Sequence, residues 1–493
     1  MKKTIIKKWC VFFAFSILFE LTGCGAAAQK RPISFYPHNK DTWVGDPIPY
    51  FDGKNFQIFY LEDLRDGASG YHPWSLFTTK DLTNYKNQGI VIPYDERPTA
   101  QDHALGTGSV IQGKDGLYHA FYTGHNDGLA KKEAVMHAAS SDLKSWNRQP
   151  EDTFYPSAAY SQTDFRDPEV IYSKEKNEYW MLVTTRAQNK GVIARYISKD
   201  LKTWKDAGVF FSNDMRTDSN LECPTLLQFG SYWYLTFSEQ WPNRVVHYRI
   251  AKNPEGPFTI PASHTFDGNG FYAGKTVTDG KKLYLFAWIP TRVGYDDSRE
   301  YDWAGNLAVH QLEPQKDGSL LPVVPENIGN ALSQREDCLV TDQSPTVKIE
   351  QNCFQFSGKG YEFVRFSSWK GCAKITGTIV TSTGKGVFGL SFNQQKDGTS
   401  SLNYALDLDK QKIEFYNIDT KSIHTGKAQS SEPLYLEPNK EYPFTLLADD
   451  SAAILYVGNQ HAMSARMFTM PGNPWGIYAN GSAVTIKDLQ IWN

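Results

Sequence analysis

From residue 47 to about residue 312 the chain repeats one hydrophobic rhythm: a short strand, a Gly- or Lys-rich turn, then an aromatic strand. Pro47-Ile48-Pro49-Tyr50-Phe51 leads to Phe56-Gln57-Ile58-Phe59-Tyr60, and Ser109-Val110-Ile111 leads to Tyr118-His119-Ala120-Phe121-Tyr122. Pro168 to Tyr172 leads to Tyr179 to Val183, Pro224 to Leu227 leads to Tyr232 to Thr236, and Gly274 to Val277 leads to Leu283 to Ala287. Alternating or continuous apolar runs bounded by turn formers read as β-hairpins. Their starts step by 62, 59, 56 and 50 residues. A second phrase recurs between them: Thr79-Lys80-Asp81-Leu82, Ser140-Ser141-Asp142-Leu143 and Ser198-Lys199-Asp200-Leu201, its aspartates 61 and 58 residues apart. A degenerate copy follows at Ala251-Lys252-Asn253-Pro254. Five copies of a four-stranded unit, each able to bury its faces only against its neighbours, predict a five-bladed β-propeller over residues 41–325.

The rhythm stops after Leu312, and a Pro- and Gly-containing connection runs from Pro314 to Pro325. Short alternating strands follow, such as Ala373-Ile375-Gly377-Ile379 and Val484-Ile486-Leu489-Ile491, with turns near Asp397-Gly398 and Gly458-Asn459. They predict a C-terminal β-sandwich over residues 331–493, a stabilising partner of the propeller. No long helical period is evident, and the fold class is all-β.

Composition supports this reading: aromatic residues make up 14% of the chain, with 38 Gly and 25 Pro. Lys and Arg (51) nearly balance Asp and Glu (54), so charge gives no ground for a nucleic-acid partner. The first 24 residues have the character of an address. Four lysines within Met1 to Lys8 precede a largely apolar run from Trp9 to Phe19, too short to span a bilayer as a helix. Leu21-Thr22-Gly23-Cys24 resembles the bacterial lipoprotein box, which implies lipidation of Cys24, an exported protein anchored to the cell envelope and a linker over residues 25–40. Of the remaining cysteines Cys223 stands alone, and Cys338, Cys353 and Cys372 leave room for one disulfide among three. No Cys/His cluster has zinc spacing.

In a propeller the first strand of each unit lines the central channel. Three of the five entrances carry an acid at or just before the opening proline: Asp46-Pro47, Asp167-Pro168 and Glu222-Cys223-Pro224. One such Asp-Pro is a turn with a self-capping aspartate. Three at one repeat phase force like charges together, which folding alone does not favour. Two carboxyl groups flanking a glycosidic bond are what glycoside hydrolysis needs. Trp43, Trp74, Tyr272 and Trp303 could stack on sugar C–H faces, and Arg166 could hold a carboxylate or a sugar hydroxyl.

Trp43-Val44-Gly45-Asp46-Pro47, Phe165-Arg166-Asp167-Pro168 and Glu222-Cys223-Pro224 resemble the three acidic signatures of glycoside hydrolase family 32, the invertase, inulinase and levanase group. Gly106-Thr107-Gly108-Ser109, Phe271-Tyr272-Ala273 and Trp303-Ala304-Gly305-Asn306 are similar to further segments of that family, in the same order. The resemblance implies a retaining reaction with Asp46 as nucleophile, Glu222 as general acid/base and Asp167 as transition-state stabiliser, needing neither a metal nor an organic cofactor. Ser109 and Cys223 would join the substrate site, with Cys223 packing or donating a weak hydrogen bond. The sequence departs from the family at Gly45, Ile48-Pro49 and Leu61, where the family carries amide side chains expected to touch the sugar. A fructosyl or related furanoside hydrolase is therefore expected. The alternatives are a glycan-binding lipoprotein without turnover and an inverting, arabinanase-type enzyme, the latter disfavoured by the Glu-Cys-Pro motif.

Overall fold

The computed structural model describes residues 33–65, 72–240, 243–458 and 460–493. The predicted address and lipidation site lie outside them. Four antiparallel sheets cover residues 43 to 323. The inner strands are Trp43–Phe51, Ala104–Gln112, Phe165–Ser173, Leu221–Phe229 and Tyr272–Thr278. Each lies against the next, and the last returns to the first, closing a ring. This is the radial arrangement of a β-propeller. Hydrogen bonding joins the first and last radial units into one eight-stranded sheet through the pairing of Val44 with Gly305. In the fourth unit only Leu221–Phe229, Tyr232–Glu239 and Val246–Ala251 form a sheet, and the isolated bridges Ile250 to Thr259 and His247 to Thr265 take the outer position.

The buried clusters lie between successive units. Phe59, Leu76, Val110 and Ala120 join the first to the second; Phe121, Val135, Val170 and Met181 the second to the third; Trp180, Leu182, Leu226 and Leu235 the third to the fourth. This is why the ring closes: each apolar face meets only a neighbouring sheet. The recurrent Asp-Leu phrase is the turn into the outer strand. Asp81, Asp142 and Asp200 each accept two backbone N–H bonds from the residues two and three ahead. Leu82, Leu143 and Leu201 tuck into the core there at φ of 62°, 65° and 64°.

After the short helix Glu326–Ala331 the chain forms two sheets that face each other over one apolar core, including Ile375, Phe388, Leu390, Leu446, Leu455 and Ile477. The strand Ala373–Thr381 alternates buried and half-buried positions, as a sandwich requires. Ile454, Tyr456 and Leu447 of this part join the same core as Leu285, Phe286 and Val309 of the ring. Arg466 is fully buried, and donates to the carbonyls of Ile289 and Pro290 and to Asn306. Residues 33–40, expected as linker, are instead fastened: Asp449 accepts the N–H groups of Phe35 and Tyr36 at 2.8 Å, and both rings are buried. Phe35 and Tyr36 carry enough apolar area to be drawn into the core, which sequence polarity alone had hidden. Cys223, Cys338, Cys353 and Cys372 are all free thiols.

Candidate active site

Every inner strand carries a β-bulge at the same height, two residues opposing one on the partner: Asp46-Pro47, Gly106-Thr107, Asp167-Pro168, Cys223-Pro224 and Ala273-Gly274. A bulge bends the strand and re-aims a side chain. The first bulge residue has positive φ in four of the five: 23° at Asp46, 56° at Asp167, 52° at Cys223 and 56° at Ala273. A non-glycine residue held there stores strain of about 1–3 kcal/mol, a mark of functional sites. Glu222 stands one residue before its bulge, equivalent to Gly45 and Arg166. All three acids thus sit at one height of the ring.

Their contacts interlock. Asp46 accepts from Thr107 Oγ1 at 2.6 Å and from Trp288 Nε1 at 3.0 Å. Asp167, 4% exposed, accepts the backbone N–H of Cys223 at 2.9 Å, immediately after Glu222. Glu222 accepts from Arg166 Nη2 at 2.9 Å and from the Tyr272 hydroxyl at 2.5 Å. Arg166 is anchored on its other side by Asp164 at 3.1 Å and Glu133 at 3.4 Å. Burial raises the Asp46 carboxyl above its ordinary range, opposed by the Thr107 and Trp288 donors and assisted by the Glu222 charge. Burial pushes Asp167 up to about 7, with Arg166 opposing and Glu222 and Asp46 adding to the rise. Cys223 is buried, and burial holds its thiol protonated well above the ordinary value, so it is no nucleophile.

Beneath this layer Lys275 Nζ donates to Glu169 at 2.9 Å and to the carbonyl of Pro224 at 3.1 Å. The pair ties the third, fourth and fifth inner strands together two residues below Asp167 and Ala273. Above it the Arg244 guanidinium lies over Tyr272 at 4.9 Å and over Trp288 at 5.4 Å, the two rings that hold Glu222 and Asp46. Trp303 stacks on His72 with ring centres 4.3 Å apart and meets Trp288 edge-on. It also explains Gly45: a Cβ there would lie 2.3 Å from the Trp303 ring. Ile48 and Leu61, the other departures, are buried in the apolar cluster beside the site.

Two sequence-predicted binding residues, Trp74 and Ser109, are taken up by packing between sheets. Trp74 is fully buried, its indole donating to the Gly106 carbonyl at 3.0 Å, and it packs on Phe59 and Tyr122. Ser109 is buried and accepts the Val170 N–H at 2.9 Å, linking two inner strands. Cys223 reaches the site twice, as expected of a packing residue and weak donor: its N–H donates to Asp167, and its thiol packs with Tyr272 and Trp288 and donates weakly to Thr107 Oγ1 at 4.0 Å. Trp74 and Ser109 lie where neighbouring sheets press together, so packing claims their side chains. Trp43 stacks on His38 and donates to the Tyr295 hydroxyl at 3.1 Å, at the rim. Sequence reasoning missed Thr107, Trp288, Glu133 and Arg244. Thr107 was legible as the second unit's bulge residue, whereas Trp288 and Glu133 lie on second and third strands, and Arg244 on the loop between such strands, none of which the inner-strand alignment reaches. Among the described residues, no group of three or more His, Cys, Asp or Glu side chains could hold a metal ion.

The comparisons with known proteins agree with this geometry. The glycosyl hydrolases family 32 N-terminal domain matches residues 37–321, and the GH32, BT1760-like, C-terminal domain matches residues 320–491. A sucrose-6-phosphate hydrolase of Pediococcus pentosaceus is 22% identical over 480 residues, covering 91% of this chain and 88% of that protein. A sucrose-6-phosphate hydrolase of Streptococcus mutans is 25% identical over 329 residues, covering 62% of this chain and 66% of that protein. The structure of sucrose-6-phosphate hydrolase from Lactobacillus gasseri superposes with a TM-score of 0.71 at 18% identity, covering 94% of this chain and 92% of that one. The chain belongs to glycosyl hydrolases family 32.

Proposed function

We propose that this protein is a retaining glycosidase that cleaves fructosyl or related furanoside linkages in oligo- or polysaccharides, held at the bacterial cell envelope by a lipid on Cys24. Asp46 attacks the anomeric carbon while Glu222 gives its proton to the departing oxygen, leaving a glycosyl ester on Asp46. Glu222 then takes a proton from water, whose oxygen displaces Asp46 and restores the carboxylate. Asp167 holds sugar hydroxyls, and with its carboxyl near pH 7 it can both accept and donate to them. Thr107 and Trp288 keep Asp46 ionised against the burial that would protonate it. Tyr272 and Arg166 orient Glu222 toward the leaving group.

The observation that carries the reading is the interlocking of three carboxyl groups from three different units within one hydrogen-bonded set. The apolar surroundings supplied by Ile48, Leu61 and the Trp303 ring replace the family's amide contacts, which supports recognition of the reacting sugar by shape as well as by hydrogen bonds. We read the ring as five blades spanning residues 41–325, followed by a sandwich over 331–493. The closed circuit of five inner strands supports this count, with the Val44 to Gly305 pairing as a seam between the first and last blades.

The test is a panel of fructo-oligosaccharides and aryl furanosides, with product stereochemistry followed by NMR. Glu222→Gln and Asp46→Asn should each lower turnover by at least about 10³-fold without changing the melting temperature. Near-full turnover by either variant, or an inverted first product, would refute the assignment. Cys24→Ser should release the protein from the membrane fraction and abolish incorporation of labelled fatty acid.

A further inference from the structure

Inner strands run away from the acid layer and their partners run back toward it, so the loop joining Leu283–Arg292 to Tyr301–Pro314 opens on the same face as Asp46, Asp167 and Glu222. That loop presents Tyr295, a large aromatic side chain left 48% exposed. Its backbone is held at φ 57°, a conformation that costs energy outside glycine. Four separate contacts hold it there. Trp43 Nε1 donates to its hydroxyl at 3.1 Å, which leaves the phenolic proton to donate outward. The Arg65 guanidinium lies 5.9 Å from its ring centre, and Phe468 of the sandwich meets it edge-on at 5.6 Å. Asp297, two residues on, accepts the N–H groups of Phe468 and Thr469 at 2.7 and 2.8 Å, fastening the loop to the sandwich.

This surface is continuous with the catalytic pocket. Arg65 also donates to the Trp303 carbonyl at 2.7 Å, and Trp303 packs on Gly45, beside Asp46, and on Trp288. A braced aromatic ring with a polar tip, exposed at a pocket mouth and tied to the reacting centre by packed side chains, has the chemistry of a sugar platform: a flat apolar face for C–H groups and a hydroxyl for sugar oxygens. We propose that Tyr295, supported by Trp43, binds a sugar unit of the substrate chain beyond the linkage being cut, so that the enzyme favours chains over disaccharides. This rests on the fructoside-hydrolase reading above and adds to it a determinant of chain-length preference.

The experiment compares kcat/KM on a fructan polymer with kcat/KM on sucrose for the wild type, Tyr295→Ala and Tyr295→Phe. The polymer-to-disaccharide ratio should fall about tenfold in Tyr295→Ala, the equivalent of about 1.4 kcal/mol, and change by less than about threefold in Tyr295→Phe, which keeps the ring. Retardation of the inactive Glu222→Gln variant in gels containing the polymer should likewise weaken when Tyr295→Ala is added. An unchanged ratio, or an equal loss on both substrates, would overturn the platform while leaving the catalytic reading intact. A wild-type protein that hydrolyses neither substrate would defeat both.

Discussion

Thr107→Val is the sharpest probe of how the site keeps its nucleophile charged. Thr107 is buried, and its hydroxyl donates to Asp46 at 2.6 Å. Valine matches its shape but cannot donate, so the change removes the hydrogen bond to Asp46, together with a weak one accepted from the Cys223 thiol, without opening a cavity. A hydrogen bond to a charged group contributes about 1.5–3 kcal/mol. At 1.36 kcal/mol per pH unit this corresponds to about one to two units in the Asp46 titration. The sign follows from which form is stabilised: the lost donor favoured the carboxylate, so its removal moves an already raised carboxyl further upward. The acid limb of kcat/KM against pH, measured on an aryl fructofuranoside, should therefore shift to higher pH by about one to two units. The Asp46 charge also acts on the neighbouring Asp167 carboxyl, so the readout is the displacement of the limb rather than its absolute position. The melting temperature serves as control for folding. A limb that stays in place, or moves to lower pH, would refute the idea that Thr107 holds Asp46 in its ionised form.

Two further changes test the buried charges. Lys275→Met leaves Glu169 buried without its partner and should cost about 3–5 kcal/mol in urea unfolding; adding Glu169→Gln should recover most of it, and simple additivity would refute the coupling. Glu432 lies buried where the sandwich meets the ring, accepts from Thr265, and is pushed up to about 8 chiefly by burial. The folded state thus holds a proton that the unfolded state releases near pH 4.5, so this stabilisation is complete below that pH and fades as pH rises through 8. Glu432→Gln should flatten the decline in melting temperature over that window, and a decline identical to that of the wild type would exclude Glu432 as its source.

The ring was legible because its repeat is written in residues that must recur. The hairpin aromatics fill the spaces between sheets, and the Asp-Leu turns carry an Asx cap and a buried leucine at three of the copies. The three acids were legible for the same reason: they share one phase. What the sequence hid were contacts with no phase to betray them. Trp288 reaches Asp46 across 242 positions, and nothing local distinguishes its indole from a core tryptophan. Trp74 shows the converse, an aromatic in sugar-site company that packing buries completely. The fastening of Phe35 and Tyr36 depends on Asp449, more than 400 residues away, and so was invisible to any reading of the segment itself.

The shared bulge joins these two kinds of information. A regular strand would alternate its side chains between the two neighbouring sheets and leave none for the channel mouth. One extra residue in each inner strand breaks that alternation at a single height, and the proline that is the second residue of three of the bulges withholds a ladder donor where none is needed. Glycine would relieve the strain at positive φ, yet Asp46 and Asp167 occupy it, and Cys223 lends its N–H from the same conformation to Asp167. The second unit, which bears no acid in its bulge, has Gly106 at the corresponding position without a positive φ and uses the next residue, Thr107, to serve Asp46. The strain is thus confined to the positions whose side chain or amide enters the acid cluster, apart from Ala273, which follows Tyr272 as Cys223 follows Glu222 and so aims the phenol at that same carboxyl.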